Sequence, residues 1–170
     1  AGSAAGGTAG SAAGGTAGSA AEVGTTLTAL LLTGSRLALV HIGDSRAYLL
    51  RDGRLFRITH DHTVVQSLLD EGRLAPEEAT THPQRALLLK SLGGDASTPD
   101  LKLRDALPGD RYLLCSDGLS GVVTDDRIAQ VLSTAAAPDA AVGALIGEAN
   151  AAGGPDNVSC VVADVVETAA

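Results

Sequence analysis

The chain has 170 residues, enough for one domain with its own hydrophobic core, and 45% of them are apolar. Its formal net charge of −8 argues against nucleic acid or an anionic membrane as the main partner and fits a protein that collects cations. No apolar run approaches the roughly 20 residues that span a bilayer, and no signal peptide is visible, so the predicted location is the cytoplasm.

The first 21 residues repeat the sequence AGSAAGGT and carry no charged or large side chain. A segment of this composition buries too little apolar surface to offset the entropy lost on ordering it. Residues 1–21 are therefore predicted to be a flexible linker, and residues 22–170 to form the folded part. The sequence contains no methionine, so the chain is expected to be processed or to be a piece of a longer protein.

Four strand-like runs follow the linker, at residues 25–33, 36–42, 46–51 and 54–59. Gly34-Ser35 joins the first two runs and Asp52-Gly53 joins the last two, and both pairs are typical of tight hairpins. Together the four runs are predicted to form one antiparallel meander.

The apolar period then changes to that of a helix. Helices are predicted at residues 61–71, from residue 76, from residue 83 to residue 90, from residue 124 and at residues 138–151. Further strands are predicted at residues 101–107, 112–115 and 158–166. Strands followed by helices and returning strands indicate an α+β fold in which helices cover the sheets.

Three aspartates stand beside strands on backbone marked by glycine. Asp44 follows the run 36–42, Asp117 follows the short apolar strand 112–115, and Asp156 precedes the last strand. Two such carboxylates about 4 Å apart repel by roughly 4 kcal/mol, which a shared proton or a bound cation relieves. Oxygen ligands without a histidine or cysteine cluster indicate Mg²⁺ or Mn²⁺. Taken singly, each aspartate is better explained by a structural role: Asp44 in a turn, Asp117 at a strand exit and Asp156 in a loop.

Six motifs in order extend this argument: GTTLTAL, VHIGDSRAYLLRDG, THDHT, EEATTHPQR, LLCSDGL and GGPDNVSC. In this order they resemble the bacterial form of the metal-dependent, type 2C protein serine/threonine phosphatases, over residues 23–166. The resemblance implies a sandwich of two antiparallel β-sheets flanked by helices, with two Mn²⁺ or Mg²⁺ ions and a weaker third one at one end. It also implies hydrolysis of phosphoserine or phosphothreonine by a metal-bridging water, without a covalent intermediate.

The same resemblance assigns residue roles. Asp117 matches a ligand shared by the first and third metals, Asp156 a ligand of the first metal, and Asp44 a ligand of the third. Supporting positions fall to Ser116, Gly118 and Asn157. No catalytic residue is assigned beyond the metal site. The implied partners are phosphoproteins made by a serine/threonine kinase, and the domain is expected to be a monomer with no nucleic-acid or membrane contacts.

One departure from the family is large. The family begins with a DGxGG segment whose aspartate bridges the two catalytic metals, and that motif does not occur in this sequence. Residues 22–170 are therefore expected to be the C-terminal portion of the phosphatase domain, with the N-terminal part of the fold absent and little activity alone. The alternative is a degenerate phosphatase-like module that binds or regulates without catalysis. Residues 66–92 resemble the family's flap beside the catalytic cleft.

Other reactive side chains are expected to be structural. Cys115 and Cys160 are predicted to be free thiols inside apolar runs. Structural roles are also predicted for His41, His60, His62 and His82. Arg46 is predicted to be a charged residue at a strand end in preference to a phosphate contact.

Overall fold

The computed structural model describes residues 6–9, 24–79, 81–93 and 97–167. Its strands are β1 (Gly6–Ala9), β2 (Leu27–Thr33), β3 (Arg36–Ile42), β4 (Arg46–Arg51), β5 (Arg54–Arg57), β6 (Asp100–Asp105), β7 (Arg111–Cys115) and β8 (Cys160–Asp164). Its helices are α1 (Val64–Asp70), α2 (Pro76–Ala79), α3 (Asp117–Ser120), α4 (Asp125–Thr134) and α5 (Pro138–Ala151).

The strands form two antiparallel sheets, in the orders β1-β2-β3-β6 and β5-β4-β7-β8. One apolar layer lies between the sheets and consists of Leu30, Leu37, Leu39, Ala47, Leu49, Ile58, Ala106, Tyr112 and Leu114. A second layer lies between the second sheet and the helices α3, α4 and α5, and includes Tyr48, Leu113, Leu119, Ile128, Leu145 and Val162. The predicted α+β sandwich flanked by helices is confirmed.

The predicted single meander is wrong, because its two hairpins belong to different sheets. The strands β2 and β3 pair in the first sheet, whereas β4 and β5 pair in the second. The chain crosses between the sheets at Gly43, whose φ of 112° redirects the backbone in a way that other residues rarely adopt. Asp44 therefore lies at the crossing between the sheets.

The predicted helix that begins at Pro83 is also wrong. Residues 83–86 form turns, and the segment after them is drawn into short bridges with two distant parts of the chain. Val64 donates its backbone N–H to the Leu87 carbonyl at 3.0 Å, and Leu89 donates to the His62 carbonyl at 2.8 Å. These bonds replace the local ones that a helix needs. The short helix α3, directly after β7, was not predicted.

The predicted linker contains one strand. Gly6–Ala9 forms β1 and pairs with Leu27 to Leu30 at the edge of the first sheet. Backbone pairing does not depend on large side chains, so even this glycine-rich sequence can extend an existing sheet. The rest of residues 1–21 lies outside the described residues, and the linker prediction stays a prediction there.

The turns of the sandwich are divided between its two ends. The predicted hairpin at Asp52-Gly53 is confirmed, with φ of 52° and 73° at its two residues, and Gly34-Ser35 forms the other. The backbone N–H of Ala106 donates to the Ser35 carbonyl at 2.8 Å, so the turn after β6 joins this end. The crossing at residues 43–45 and the segments 116–118 and 154–159 lie at the opposite end.

The outer face of the first sheet carries apolar rows. Strand register aligns two rows of three residues across β2, β3 and β6: Ala29, Val40 and Leu101, and then Leu31, Ala38 and Leu103. Leu101 is 73% exposed and Leu103 is 70% exposed, so this face stays largely open to solvent. Across the described residues, no helix has the length and apolarity that crossing a bilayer requires.

Candidate metal site

The structure brings the three predicted aspartates to one cavity of about 450 Å³. Asp44 reaches it from the crossing between the sheets, Asp117 from the first turn of α3, and Asp156 from the loop before β8. The three positions are far apart in sequence. They meet because β3, β7 and β8 all place their connections at the same end of the sandwich.

Ser116 fastens the two loops that carry Asp117 and Asp156. Its hydroxyl donates to the Asn157 carbonyl at 3.2 Å and accepts from the backbone N–H of Ser159 at 3.1 Å. Its own N–H donates to the Ser159 carbonyl at 3.0 Å. The position of Asp117 relative to Asp156 is therefore fixed mainly through hydrogen bonds from Ser116 to the loop backbone.

Gly118 lets the same two loops approach each other. A Cβ atom at this position would lie 2.3 Å from the Asn157 carbonyl oxygen, which belongs to backbone and cannot rotate away. The two loops can make this contact only because residue 118 is a glycine, which has no Cβ atom.

We expect Gly118→Ala to destabilise the chain by about 2 kcal/mol, because the loop carrying Asp156 must move away from α3. Urea denaturation measures the change. The matched control is Gly147→Ala in α5, where nothing lies within 4 Å of the added carbon. That variant should gain about 0.5 to 1 kcal/mol, since alanine is the better helix former. Equal stability of the two variants would contradict the assigned contact.

The crossing that carries Asp44 is held by His62 and Thr26. The backbone N–H of Gly43 donates to His62 Nδ1 at 3.2 Å, and the backbone N–H of His62 donates to the Gly43 carbonyl at 2.8 Å. Because Nδ1 accepts, the ring proton lies on Nε2, which faces Asp100 at 3.5 Å. The Thr26 hydroxyl lies 3.1 Å from that of Ser45. His62, for which a structural role is predicted, thus contacts the backbone of the residue that precedes the candidate ligand Asp44.

Arg46 forms a partly buried ion pair with Asp61 on the cavity wall. Its guanidinium donates to Asp61 three times, at 3.1, 3.0 and 2.6 Å, and to the Tyr48 hydroxyl at 3.4 Å. The Tyr48 hydroxyl in turn donates to Asp125 at 2.9 Å. These contacts hold Arg46, at the start of β4, against Asp61 and Tyr48. Sequence reasoning missed its partner Asp61, although the THDHT motif marked that region.

Burial and mutual repulsion disfavour the charged forms of the Asp44 and Asp117 carboxylates. Burial raises the pKa of Asp44 to about 6, and the charges of Asp117 and Asp61 add to the rise. Burial also raises the pKa of Asp117, followed by the charge of Asp156. Arg46 offsets only part of either effect. A bound cation is the usual relief for carboxylates in this state.

The donor chemistry of the three aspartates fits a hard divalent cation, since all of their ligand atoms are carboxylate oxygens. Among the residues that the structure describes, however, no three His, Cys, Asp or Glu side chains converge closely enough to hold an ion by themselves. The aspartates therefore supply part of a ligand set, and further oxygen ligands would have to complete it.

We expect Asp44→Asn to stabilise the metal-free chain by about 1 to 2 kcal/mol at pH 7.5, because the substitution removes a charge whose pKa is raised on folding. A raised carboxyl pKa disfavours folding above about pH 6 and has no effect below the unfolded-state pKa, near 4. The gain should therefore vanish in denaturation experiments at pH 3.5. An equal gain at both pH values would contradict the electrostatic cause.

The segment 66–92 forms part of the same cavity. Gln66, Leu69, Ala79, Arg85 and Ala86 line the wall that faces the aspartates. Arg57 also reaches the cavity and donates to the Gln66 side chain at 3.1 Å. Segment 66–92, which resembles the family's flap, thus lies beside the candidate site and can contact a ligand bound in the cavity.

Comparison of the chain with known proteins identifies its family. The family model described as protein phosphatase 2C matches residues 4–145. The chain belongs to the protein phosphatase 2C family. The match begins inside the repeat that contains β1, which agrees with the pairing of that strand in the first sheet.

Individual relatives give the same family. The serine/threonine protein phosphatase PstP of Mycobacterium tuberculosis is 58% identical over 147 residues, which cover 85% of this chain and 28% of PstP. A putative protein phosphatase 2C-type of Streptococcus pyogenes is 38% identical over 138 residues, 81% of this chain and 56% of that protein. The chain thus spans a little over a quarter of the first relative and just over half of the second.

Solved structures of the family superpose on the chain. The crystal structure of the M. tuberculosis phosphatase PstP matches with a TM-score of 0.81 at 55% identity, covering 85% of this chain and 61% of that one. The catalytic domain of PstP in complex with two manganese ions matches with a TM-score of 0.79 at 54% identity, covering 85% and 60%. The protein phosphatase 2C fold therefore extends over most of this chain.

Proposed function

We propose that this chain is the C-terminal portion of a metal-dependent protein phosphatase domain that hydrolyses phosphoserine and phosphothreonine. The observation that carries the proposal is the convergence of Asp44, Asp117 and Asp156 on one cavity. Membership of the protein phosphatase 2C family and the 58% identity to PstP support it. The chain alone is proposed to be inactive, because the three aspartates do not complete a ligand set.

Mn²⁺ or Mg²⁺ is the proposed cofactor, and the two manganese ions in the PstP catalytic domain support this choice. Asp117 and Asp156 would hold the first ion, and Asp44 with Asp117 a weaker third. When bound, such ions supply an activated water and stabilise charge at phosphorus. Ser116 and Gly118 keep Asp117 near the Asp156 loop, and His62 keeps the Asp44 loop in place.

Isothermal titration of the chain with Mn²⁺ tests the proposed ligands. We expect weak binding that is lost in Asp117→Asn, because this change removes the carboxylate that interacts with both of the other aspartates. Equal Mn²⁺ affinity of the chain and the variant would remove the assignment.

A second candidate function is a degenerate module that binds or regulates without catalysis. It is favoured by the lack of three converging ligands in the described part of the chain. Hydrolysis of a phosphothreonine peptide separates the two candidates. If a protein that also contains the DGxGG segment stays inactive with Mn²⁺ on several phosphopeptides, the module is the better conclusion.

The proposed partners are phosphoproteins made by a serine/threonine kinase, and the proposed place is the cytoplasm. The names of the relatives, which include serine/threonine phosphatases from several bacteria, support the substrate class. The monomeric state predicted from the sequence stays a prediction that light scattering can test.

A further inference from the structure

The two cysteines lie directly opposite each other on neighbouring strands. Strand register pairs Cys115 on β7 with Cys160 on β8. The next pair along, Ser116 and Ser159, is joined by a backbone hydrogen bond of 3.0 Å. Hydrogen-bonded and non-hydrogen-bonded pairs alternate in an antiparallel ladder, so the cysteines form a non-hydrogen-bonded pair. In such pairs the Cα atoms are about 4.5 Å apart, within the range that a disulfide spans.

Both side chains also project to the same side of the second sheet. Cys115 belongs to the apolar layer beneath the helices, and Cys160 packs against that layer. Both are free thiols. Cys115 is fully buried, whereas Cys160 is partly exposed and can be reached by a small molecule. The accessible Cys160 sulfur and the buried Cys115 sulfur thus belong to residues that face each other across neighbouring strands.

We propose that Cys115 and Cys160 form a reversible cross-strand disulfide when the chain meets a peroxide. The Cys160 sulfur attacks one peroxide oxygen, the O–O bond breaks, and the thiol becomes a sulfenic acid while the first water leaves. The Cys115 sulfur then attacks the Cys160 sulfur and breaks its S–O bond. The departing hydroxide takes the Cys115 proton and leaves as a second water. Two thiols are oxidised to a disulfide and one peroxide is reduced.

The bond would link the two segments that carry candidate metal ligands. Cys115 is followed by Ser116 and Asp117, and Cys160 is preceded by the loop of Asp156. Ser116 already joins these segments through its hydroxyl. The disulfide would add a covalent link one residue further along the strands. This inference does not depend on the proposed function, because the cysteines are defined by the sheet alone.

Peptide mapping of the peroxide-treated chain tests the proposal. Burial raises the pKa of both thiols and slows attack, so the reaction is followed for hours. After alkylation, trypsin cleaves at Arg111 and Arg127 and separates the cysteines into residues 112–127 and 128–170. We expect these two peptides to be joined in most of the monomer and to be released by dithiothreitol.

The matched control is Cys160→Ser, in which the accessible sulfur is removed and Cys115 should stay reduced. Circular dichroism checks that this variant is folded. Two results would overturn the proposal: both cysteines still free after oxidation, or both oxidised to sulfinic acids without a link. A disulfide found only between two molecules would overturn it as well.

Discussion

Asp117→Asn, introduced into a protein that contains this chain and the DGxGG segment, should lower Mn²⁺-dependent hydrolysis of a phosphothreonine peptide by at least about a thousandfold. The reason lies in the position of Asp117. Besides burial, the charge of Asp117 raises the pKa of Asp44 and the charge of Asp156 raises the pKa of Asp117, so Asp117 interacts with both of the other aspartates. Losing it removes a ligand from the first ion and from the weaker third ion, the two that the aspartates of this chain are proposed to hold. A loss of about 4 kcal/mol in transition-state stabilisation corresponds to this factor.

The control for this prediction is Asp126→Asn, an exposed aspartate in the first turn of α4 that does not line the cavity. It changes the net charge by the same amount and should keep full activity. Thermal melts establish that both variants are folded. If Asp117→Asn keeps more than a tenth of the activity, Asp117 is not a ligand of a catalytic metal.

Asp110→Ala should have the largest effect on stability, a loss of about 3 kcal/mol in the free energy of unfolding. Asp110 is 1% exposed and accepts hydrogen bonds from Arg51 at 2.7 and 2.6 Å and from the Leu107 N–H at 2.8 Å. The Tyr112 hydroxyl donates to it at 3.2 Å. Removing the carboxylate leaves the buried Tyr112 hydroxyl and the partly exposed Arg51 guanidinium without their acceptor, which is costly.

Asp105→Ala provides the comparison, because Asp105 forms an ion pair of 3.4 Å with Arg36 in which both side chains are mostly exposed. Such pairs contribute about 0 to 1 kcal/mol, so urea midpoints should separate the two variants clearly. Similar losses of stability in both variants would show that burial of Asp110 does not strengthen its ion pair with Arg51.

Acid should reproduce part of the Asp110 effect. Burial alone would raise the pKa of Asp110, but the hydrogen bonds from Arg51 and Leu107 outweigh it and hold the pKa below its usual value. A lowered carboxyl pKa stabilises the fold above the unfolded pKa near 4, and this contribution is lost as the pH falls through the folded value. The wild-type chain should therefore lose this stabilisation below about pH 4, and Asp110→Ala should not.

Local chemistry made much of the fold predictable. The Asp52-Gly53 hairpin follows from two residues that tolerate positive φ. The start of α4 follows from Thr124, whose hydroxyl accepts from the Arg127 N–H as a helix cap does. The apolar run 112–115 became β7, buried between a sheet partner on each side. In each case the signal lies within a few neighbouring residues.

The unpredicted features depend on contacts between distant residues. The sequence around Gly43 does not show that β3 and β4 enter different sheets, because hairpin signals occur on both sides of it. Residues 87–89 look helical until Val64 and His62 supply backbone partners. The Arg46–Asp61 pair lies just beyond the open end of the β4–β5 hairpin, because the pairing of these strands brings the start of β4 beside the segment that follows β5. The positions of the three aspartates were predicted, but their convergence required the sheet order.

The division of turns between the two ends of the sandwich has a practical consequence for protein engineering. A seven-residue strand such as β3 is about 20 Å long, so the Asp52-Gly53 hairpin lies roughly that far from the aspartates. Both residues of the hairpin are exposed. Lengthening a surface loop costs little closure entropy, so a peptide tag or a fluorescent reporter could be inserted there. A label at this place would leave the residues that line the metal cavity unchanged.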